Sequence, residues 1–318
     1  MRATFAVIHL DALQSNIAAL RARFARANKN PAICLPVKAD AYGHGAREVA
    51  ASALRAGVRC LAVATVDEGV YLREGGIGAP VLVLSQGMPA EFEALCAYRL
   101  SPLAGDLEAA RLLAECAGRA AGERLPVFVK IDTGMGRGGC RPKDAAELAA
   151  CVAGAGSLEY AGALTHFAAA DSFLPEDRAY TRRQIALFDQ ALQAIGARGV
   201  CGGIVSAANS GAALWYPEAW FDMVRPGIAL YGYPPQPGED AAPAVDGGAA
   251  GGFRPLMELR THVVAIKTVY KGESVSYGRT WTAAADTRIA VLPVGYGDGL
   301  PRALSGNFLV VIRGRRYP

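Results

Sequence analysis

Residues 33–56 read ICLPVKADAYGHGAREVAASALRA. The apolar run Ile33–Lys38 has the length and bounds of a strand, Ala39–Gly45 is a tight turn, and Gly45–Ala56 carries Ala, Val and Leu at helical spacing among Arg and Glu. The same alternation recurs downstream. Strand-like runs fall at Cys60–Ala64, Pro80–Leu84, Leu100–Ala104, Leu125–Asp132, Leu158–Thr165, Cys201–Ser206 and Phe221–Arg225. Helical stretches lie between them, among them Ala90–Tyr98, Asp106–Ala121, Pro142–Val152 and Glu176–Ile195, several opening on Asp, Pro or Glu as helix starts do. Eight strand–helix units in about 230 residues predict an α/β fold, a closed parallel (β/α)8 barrel of the TIM type.

Beyond Tyr231 the texture changes. Pro234–Gly252 (PPQPGEDAAPAVDGGAAGG) is rich in Pro, Gly and Ala and reads as an exposed linker. Leu256–Tyr270, Ile289–Pro293 and Phe308–Arg313 then read as strands, with turn signals at Lys271-Gly272 and Ser305-Gly306-Asn307. The expected organisation is a barrel over residues 1–240 and a β domain over 241–318. After the strand at Phe308–Arg313, Arg315-Arg316-Tyr317-Pro318 is expected to leave its last edge without a partner strand.

A chain of 318 residues, 52% hydrophobic and 19% charged, is long enough to bury a sizeable core, which excludes intrinsic disorder and a small disulfide scaffold. Its 33 basic and 29 acidic residues leave +4, spread along the chain apart from Arg313, Arg315 and Arg316, which is no nucleic-acid footprint. The seven cysteines form no CxxC pair, and they point to a reduced, cytoplasmic compartment. The short apolar stretch Ala3–Leu10, interrupted by His9 and followed by Asp11, does not read as a cleavable leader, and no apolar run approaches membrane-spanning length, so no membrane partner is expected.

Barrel enzymes carry their chemistry at the C-terminal ends of the strands. Lys38 ends the first strand and is one of only six lysines. Desolvation there favours a neutral, nucleophilic amine able to form a Schiff base; the same position also suits a salt-bridged lysine. Asn209 and Ser210 precede a short helix at Gly211–Trp215, an arrangement that fits a phosphate or an ordinary N-cap equally well. Arg225-Pro226-Gly227-Ile228 offers further backbone donors after the eighth strand, where barrels often bind phosphate. Arg137 and Arg225 suit carboxylate or ring-nitrogen recognition, or a structural ion pair. His166 ends the sixth strand. Gly134–Gly139 matches GxGxxG, but the arginine inside the turn and the lack of an acid at the end of the next strand weigh against a dinucleotide site. His9, His44 and His262 have no metal-ligand spacing, and no metal is expected.

Seven blocks taken together, VKADAYGHG (37–45), KIDTGMGR (130–137), THFAAAD (165–171), AANSGAAL (207–214), RPGIALYG (225–232), SVSYGRTW (274–281) and PVGYGDG (293–299), resemble the alanine racemases, in family order from end to end. The resemblance implies a pyridoxal 5'-phosphate enzyme with an N-terminal barrel and a C-terminal β domain. It implies that Lys38 carries the cofactor, that Tyr42, Ser210, Gly227 and Ile228 hold its phosphate, that Asn209 belongs to the cofactor-binding set, and that Arg225 bonds the pyridine nitrogen with His166 packed on the ring. Arg137 is then the residue that reaches the phenolic oxygen and the substrate carboxylate, and Lys130 matches a position carbamylated in some members.

Inverting an α-carbon needs a base on each face, and the resemblance assigns these to Lys38 and Tyr277, the latter reaching across a homodimer. A tyrosine with its ordinary pKa near 10 needs nearby positive charge for that role; Arg279 is close in sequence. The implied activity is interconversion of L- and D-alanine, for peptidoglycan or for D-alanine catabolism. Alternatives are a related racemase for serine or several amino acids, a non-catalytic pyridoxal-phosphate-binding protein, and a lysine Schiff-base aldolase. Family members continue past this point into a Cys-Met-Asp motif and a further phosphate-contacting tyrosine. The chain is therefore expected to be a C-terminally truncated form, short of full activity.

Overall fold

In each short strand of the barrel, neighbouring residues point to opposite faces, and the sequence places an apolar side chain on both. The computed structural model describes residues 3–120, 122–235 and 252–318. It divides into two units, His9–Leu256 and a smaller one formed by Met1–Ile8 with Met257–Pro318. The strand β1 (Phe5–Ile8) belongs to the smaller unit.

The larger unit holds eight parallel strands, β2 (Ala32–Pro36), β3 (Cys60–Val63), β4 (Val81–Val83), β5 (Leu103–Ala104), β6 (Leu125–Lys130), β7 (Leu158–Leu164), β8 (Ile204–Ser206) and β9 (Met223–Val224). Their order is β4-β3-β2-β9-β8-β7-β6-β5, and a parallel bridge between Leu82 and Ser101 joins the two ends into a ring. All eight expected strands are present as an (β/α)8 barrel. One face of the strands packs the lumen with Cys34, Ala62, Leu82, Leu103, Phe128, Leu164 and Met223. Their neighbours Leu35, Leu61, Val81, Val127, Ala163 and Val224 point outward into the helix layer. The strand period of two thus builds a filled barrel whose polar residues can emerge only at its ends.

The helices α1 (Leu10–Arg26), α3 (Ala46–Arg55), α4 (Val66–Glu74), α5 (Phe92–Ala97), α6 (Leu107–Arg119), α7 (Ala145–Gly154) and α8 (Pro175–Ala197) cover the barrel, each after its strand except α1. α2 (Lys38–Gly43) and α9 (Ser210–Trp215) are single-turn elements at the strand ends. In α8 the buried positions Thr181, Gln184, Ile185, Phe188, Ala191 and Ile195 follow the helical spacing of one face. None of the helices among the described residues is long and apolar enough to cross a membrane.

In the smaller unit β1 pairs antiparallel with β10 (Met257–Arg260) and β11 (Ala265–Val269) with β14 (Thr287–Val291). β12 (Ser274–Val275) pairs with β13 (Trp281–Thr282). The expected unpartnered edge at the C-terminus is corrected here: β15 (Val310–Ile312) pairs with β16 (Arg315–Tyr317). Arg313 and Gly314 both take positive φ, at 49° and 77°, which closes a two-residue hairpin of the type I′ kind and turns the arginine-rich end back on the strand before it. The expected boundary at 240/241, and most of the Pro234–Gly252 linker, lie outside the described residues.

Candidate active site

The C-terminal ends of the barrel strands enclose a cavity of about 580 Å³. Its lining includes Lys38, Tyr42, Lys130, Arg137, His166, Asn209, Ser210, Arg225, Gly227 and Ile228, so every site residue expected on the barrel meets there. Tyr277 belongs to the smaller unit, on the 3-10 turn Tyr277–Arg279, and is 81% exposed. Arg279 donates from Nε to Ser274 Oγ at 2.8 Å.

Lys38 follows β2 and opens α2, a turn of left-handed backbone: Ala39, Asp40, Ala41 and Tyr42 all have φ between 51° and 55°. For residues with a Cβ this conformation costs about 1–2 kcal/mol each, so it persists only where surrounding bonds over-determine it. Several do. Asp40 Oδ1 accepts from the Ala46 amide at 2.7 Å, and His44 Nδ1 lies 3.0 and 2.9 Å from the carbonyls of Ala41 and Tyr42. The Tyr42 ring packs edge-on against Tyr231, whose hydroxyl donates to the Pro36 carbonyl at 2.8 Å. The turn brings Lys38 Nζ to 5.9 Å from the Tyr42 ring centre and the Tyr42 hydroxyl against Gly227. A Cβ on Gly227 would stand 2.7 Å from that oxygen, which explains the glycine.

Arg225, only 4% exposed, is fixed by neutral acceptors. It donates to Ser206 Oγ, to the Thr165 carbonyl at 2.5 Å and to the Ala207 carbonyl at 3.3 Å, and its Nη2 lies 3.5 Å from His166 Nδ1. Burial pulls the guanidinium down to about 10, still charged at neutral pH. Burial, then Arg225, Lys130, Arg137 and Lys38, push the His166 imidazole down to about 2, so it is neutral and its Nδ1 accepts from the arginine. Lys130 is pulled down to about 7 by burial and by Arg225 and Arg137, against the weaker opposing pull of Asp132 and Cys140. Burial also raises the Tyr42 phenol. Crowded cations of this kind suit a ligand with several negative charges.

Asn209 caps α9: Oδ1 accepts from the Ala212 amide at 3.1 Å, and Nδ2 donates to the Phe167 carbonyl at 3.3 Å. Its side chain thus works as a helix cap at the cavity wall. Ser210 Oγ accepts from the Ala229 amide at 3.2 Å, tying α9 to the turn after β9. In the glycine loop, Asp132 Oδ1 accepts from the amides of Gly134 and Gly136 at 2.9 and 3.1 Å. Those are donors a dinucleotide pyrophosphate would need, so the GxGxxG match is an arginine-presenting loop.

Sequence reasoning missed the residues behind these groups. Gln184, on α8 and 1% exposed, accepts from the Ala168 amide and donates to Thr133 Oγ1 and the His166 carbonyl. Glu68 accepts from the amides of Ala39 and Ala64, both at 2.7 Å. The visible signal was the capping box Thr65–Glu68. Among the described residues no cluster of His, Cys, Asp and Glu has the makings of a metal site.

Residues 8–235 match the family model for the N-terminal domain of alanine racemase, and 256–318 that for its C-terminal domain. An alanine racemase of Treponema denticola is 48% identical over 306 residues, 96% of this chain and 78% of the relative. One of Treponema pallidum is 44% identical over 98% of this chain and 80% of its own length. Among solved structures, the alanine racemase of D-cycloserine-producing Streptomyces lavendulae superposes with a TM-score of 0.86 at 36% identity, over 99% of this chain and 80% of that one. That of Bacillus anthracis with bound L-Ala-P gives 0.85 at 32%, over 100% and 79%.

Proposed function

The chain belongs to the alanine racemase family, whose members depend on pyridoxal phosphate, and from that premise we propose that it interconverts L- and D-alanine with Lys38 and Tyr277 as opposed bases. The observation that carries the residue assignment is the meeting of Lys38, Tyr42, Ser210, Gly227 and the three cations Lys130, Arg137 and Arg225 around one cavity.

These residues fit the cofactor. The Gly227–Ile228 turn, left open by the missing Cβ beside the Tyr42 hydroxyl, and Ser210 would hold a phosphate. Arg225, buried and still charged, would donate to the ring nitrogen without giving up its proton, with the neutral His166 against the ring. When bound, pyridoxal phosphate supplies an electron sink that makes the amino acid's α-proton labile. Arg137, exposed at the cavity mouth, would orient the substrate carboxylate.

Lys38 Nζ then takes or returns the proton on one face of the α-carbon. Tyr277 serves the other face in the partner of a homodimer, a role consistent with its exposed side chain. Lys130, with a large unprotonated fraction near neutrality, is suited to add to carbon dioxide with release of a proton; the resulting carbamate would carry a negative charge beside Arg137.

The test is exchange of the α-proton of each alanine enantiomer into deuterated solvent. Lys38→Ala and Tyr277→Phe should each lose racemisation and retain residual exchange with opposite enantiomer preference. The same preference in both variants would overturn the two-base assignment.

A further inference from the structure

Glu68 belongs to no strand end and touches no expected ligand, yet its carboxylate joins the two backbone segments that flank Lys38. One oxygen accepts from Ala39, the residue directly after the lysine, and the other from Ala64 at the end of β3, each at 2.7 Å. The second oxygen also lies 3.4 Å from the Thr65 amide, and the Glu68 amide donates to Thr65 Oγ1 at 3.3 Å, which completes the cap of α4. Upstream of the lysine, Val37 is already fixed, its amide donating to the Ala62 carbonyl at 2.7 Å. The Pro36 carbonyl, two residues before the lysine, accepts from the Tyr231 hydroxyl at 2.8 Å. Downstream, the side-chain bonds of Asp40 and His44 act on residues 40 and beyond. At Ala39, where the backbone first becomes left-handed with φ of 51°, the side-chain restraint is Glu68.

We propose that Glu68 is a positioning residue for Lys38: its carboxylate clamps the first amide of the left-handed turn to the end of the neighbouring strand and so aims the lysine amine into the cavity. The inference rests on the assignment of Lys38 as the cofactor-bearing residue. Only a carboxylate meets both amides, because each of its oxygens accepts; a glutamine sets an NH2 donor against one N–H. The capping box holds one oxygen at α4 through two amides, so the amide nitrogen of Glu68→Gln faces Ala39 and the clamp opens at the lysine while the helix cap survives.

The experiment measures capture of added pyridoxal phosphate by the full-length, cofactor-free chain, trapped with borohydride and read by mass at the Lys38 peptide. Losing a charge-assisted hydrogen bond at a group that must be aimed should slow capture in Glu68→Gln roughly 10-fold. Thr65→Ala, which weakens the same helix cap and spares the clamp, should capture at the parent rate. Non-covalent affinity for pyridoxal phosphate should be equal in Lys38→Ala and in Lys38→Ala combined with Glu68→Gln, since the clamp acts through the lysine. Should the glutamine variant not fold, Glu68→Asp, too short to span both amides, reads the same rate. Parent-like capture in Glu68→Gln, equal slowing in Thr65→Ala, or a drop in affinity in the double variant would each overturn the positioning role. Absence of label at Lys38 in the parent would instead overturn the cofactor assignment itself.

Discussion

Replacing Lys130 with methionine should stabilise the cofactor-free protein, and the gain should fade as pH rises. The amine sits among buried surfaces with Arg225 and Arg137 as its strongest charged neighbours, and its folded value is about 7 against an ordinary 10.5. A base with a depressed folded value binds more protons unfolded than folded between those two limits, so its burden on stability is complete below about pH 7 and vanishes above about 10.5. At 1.4 kcal/mol for each tenfold change, the burden is about 5 kcal/mol at pH 6, about 2 at pH 9 and below about 1 at pH 10. Methionine removes the charge at similar length, so urea denaturation of parent and Lys130→Met in carbon-dioxide-free buffer should show midpoints that differ most at pH 6 and converge by pH 10. The carbon dioxide must be excluded because a carbamate would place an anion beside Arg137 and hide the effect. A methionine advantage that is constant from pH 6 to pH 10 would mean that the lysine titrates normally and that the gain is packing alone.

Two further perturbations probe the residues around that cluster. Gln184→Ala should cost about 2 kcal/mol in urea denaturation, because the part-buried Ala168 amide and His166 carbonyl lose their side-chain partner while Thr133 Oγ1 keeps only Thr165; a loss below about 1 kcal/mol would show that water replaces it. Arg225→Gln should raise His166 from about 2 toward the ordinary 6.5, since Arg225 is the largest contributor after burial; the ring resonances followed by NMR should begin to titrate above pH 3, and a ring that stays neutral to pH 2 would show that burial and the remaining cations suffice without Arg225.

The barrel was legible because each strand is a short apolar run whose alternate residues serve the lumen and the helix layer, as Leu61, Ala62 and Val63 do. The cations were legible for a related reason. In a filled barrel, a lysine or arginine directly after such a run can go only to the strand's end, and Lys38 and Arg225 do. The C-terminal hairpin was not legible, since its outer strand is Arg315–Tyr317, all exposed, and its turn opens on an arginine at positive φ rather than on Asn or Gly.

What the sequence conceals most completely is the support of the site. Glu68 and Gln184 act on backbone amides and carbonyls of distant segments, and a backbone atom leaves no residue-type signature at the far end of its bond. Thr65–Glu68 announces a helix start, and nothing in it announces that the same carboxylate reaches across to Ala39. The two costly features of the site, a left-handed turn at residues with a Cβ and a crowd of mutually repelling cations, both stand at the strand ends, where the lumen and helix core can hold them. A stability-optimised barrel would relax both. Their joint presence at Lys38 and Arg225 is what makes that end of the barrel a place for chemistry, and the clamp at Ala39 is the part of the support through which the turn and the lysine can be tested separately from the charges.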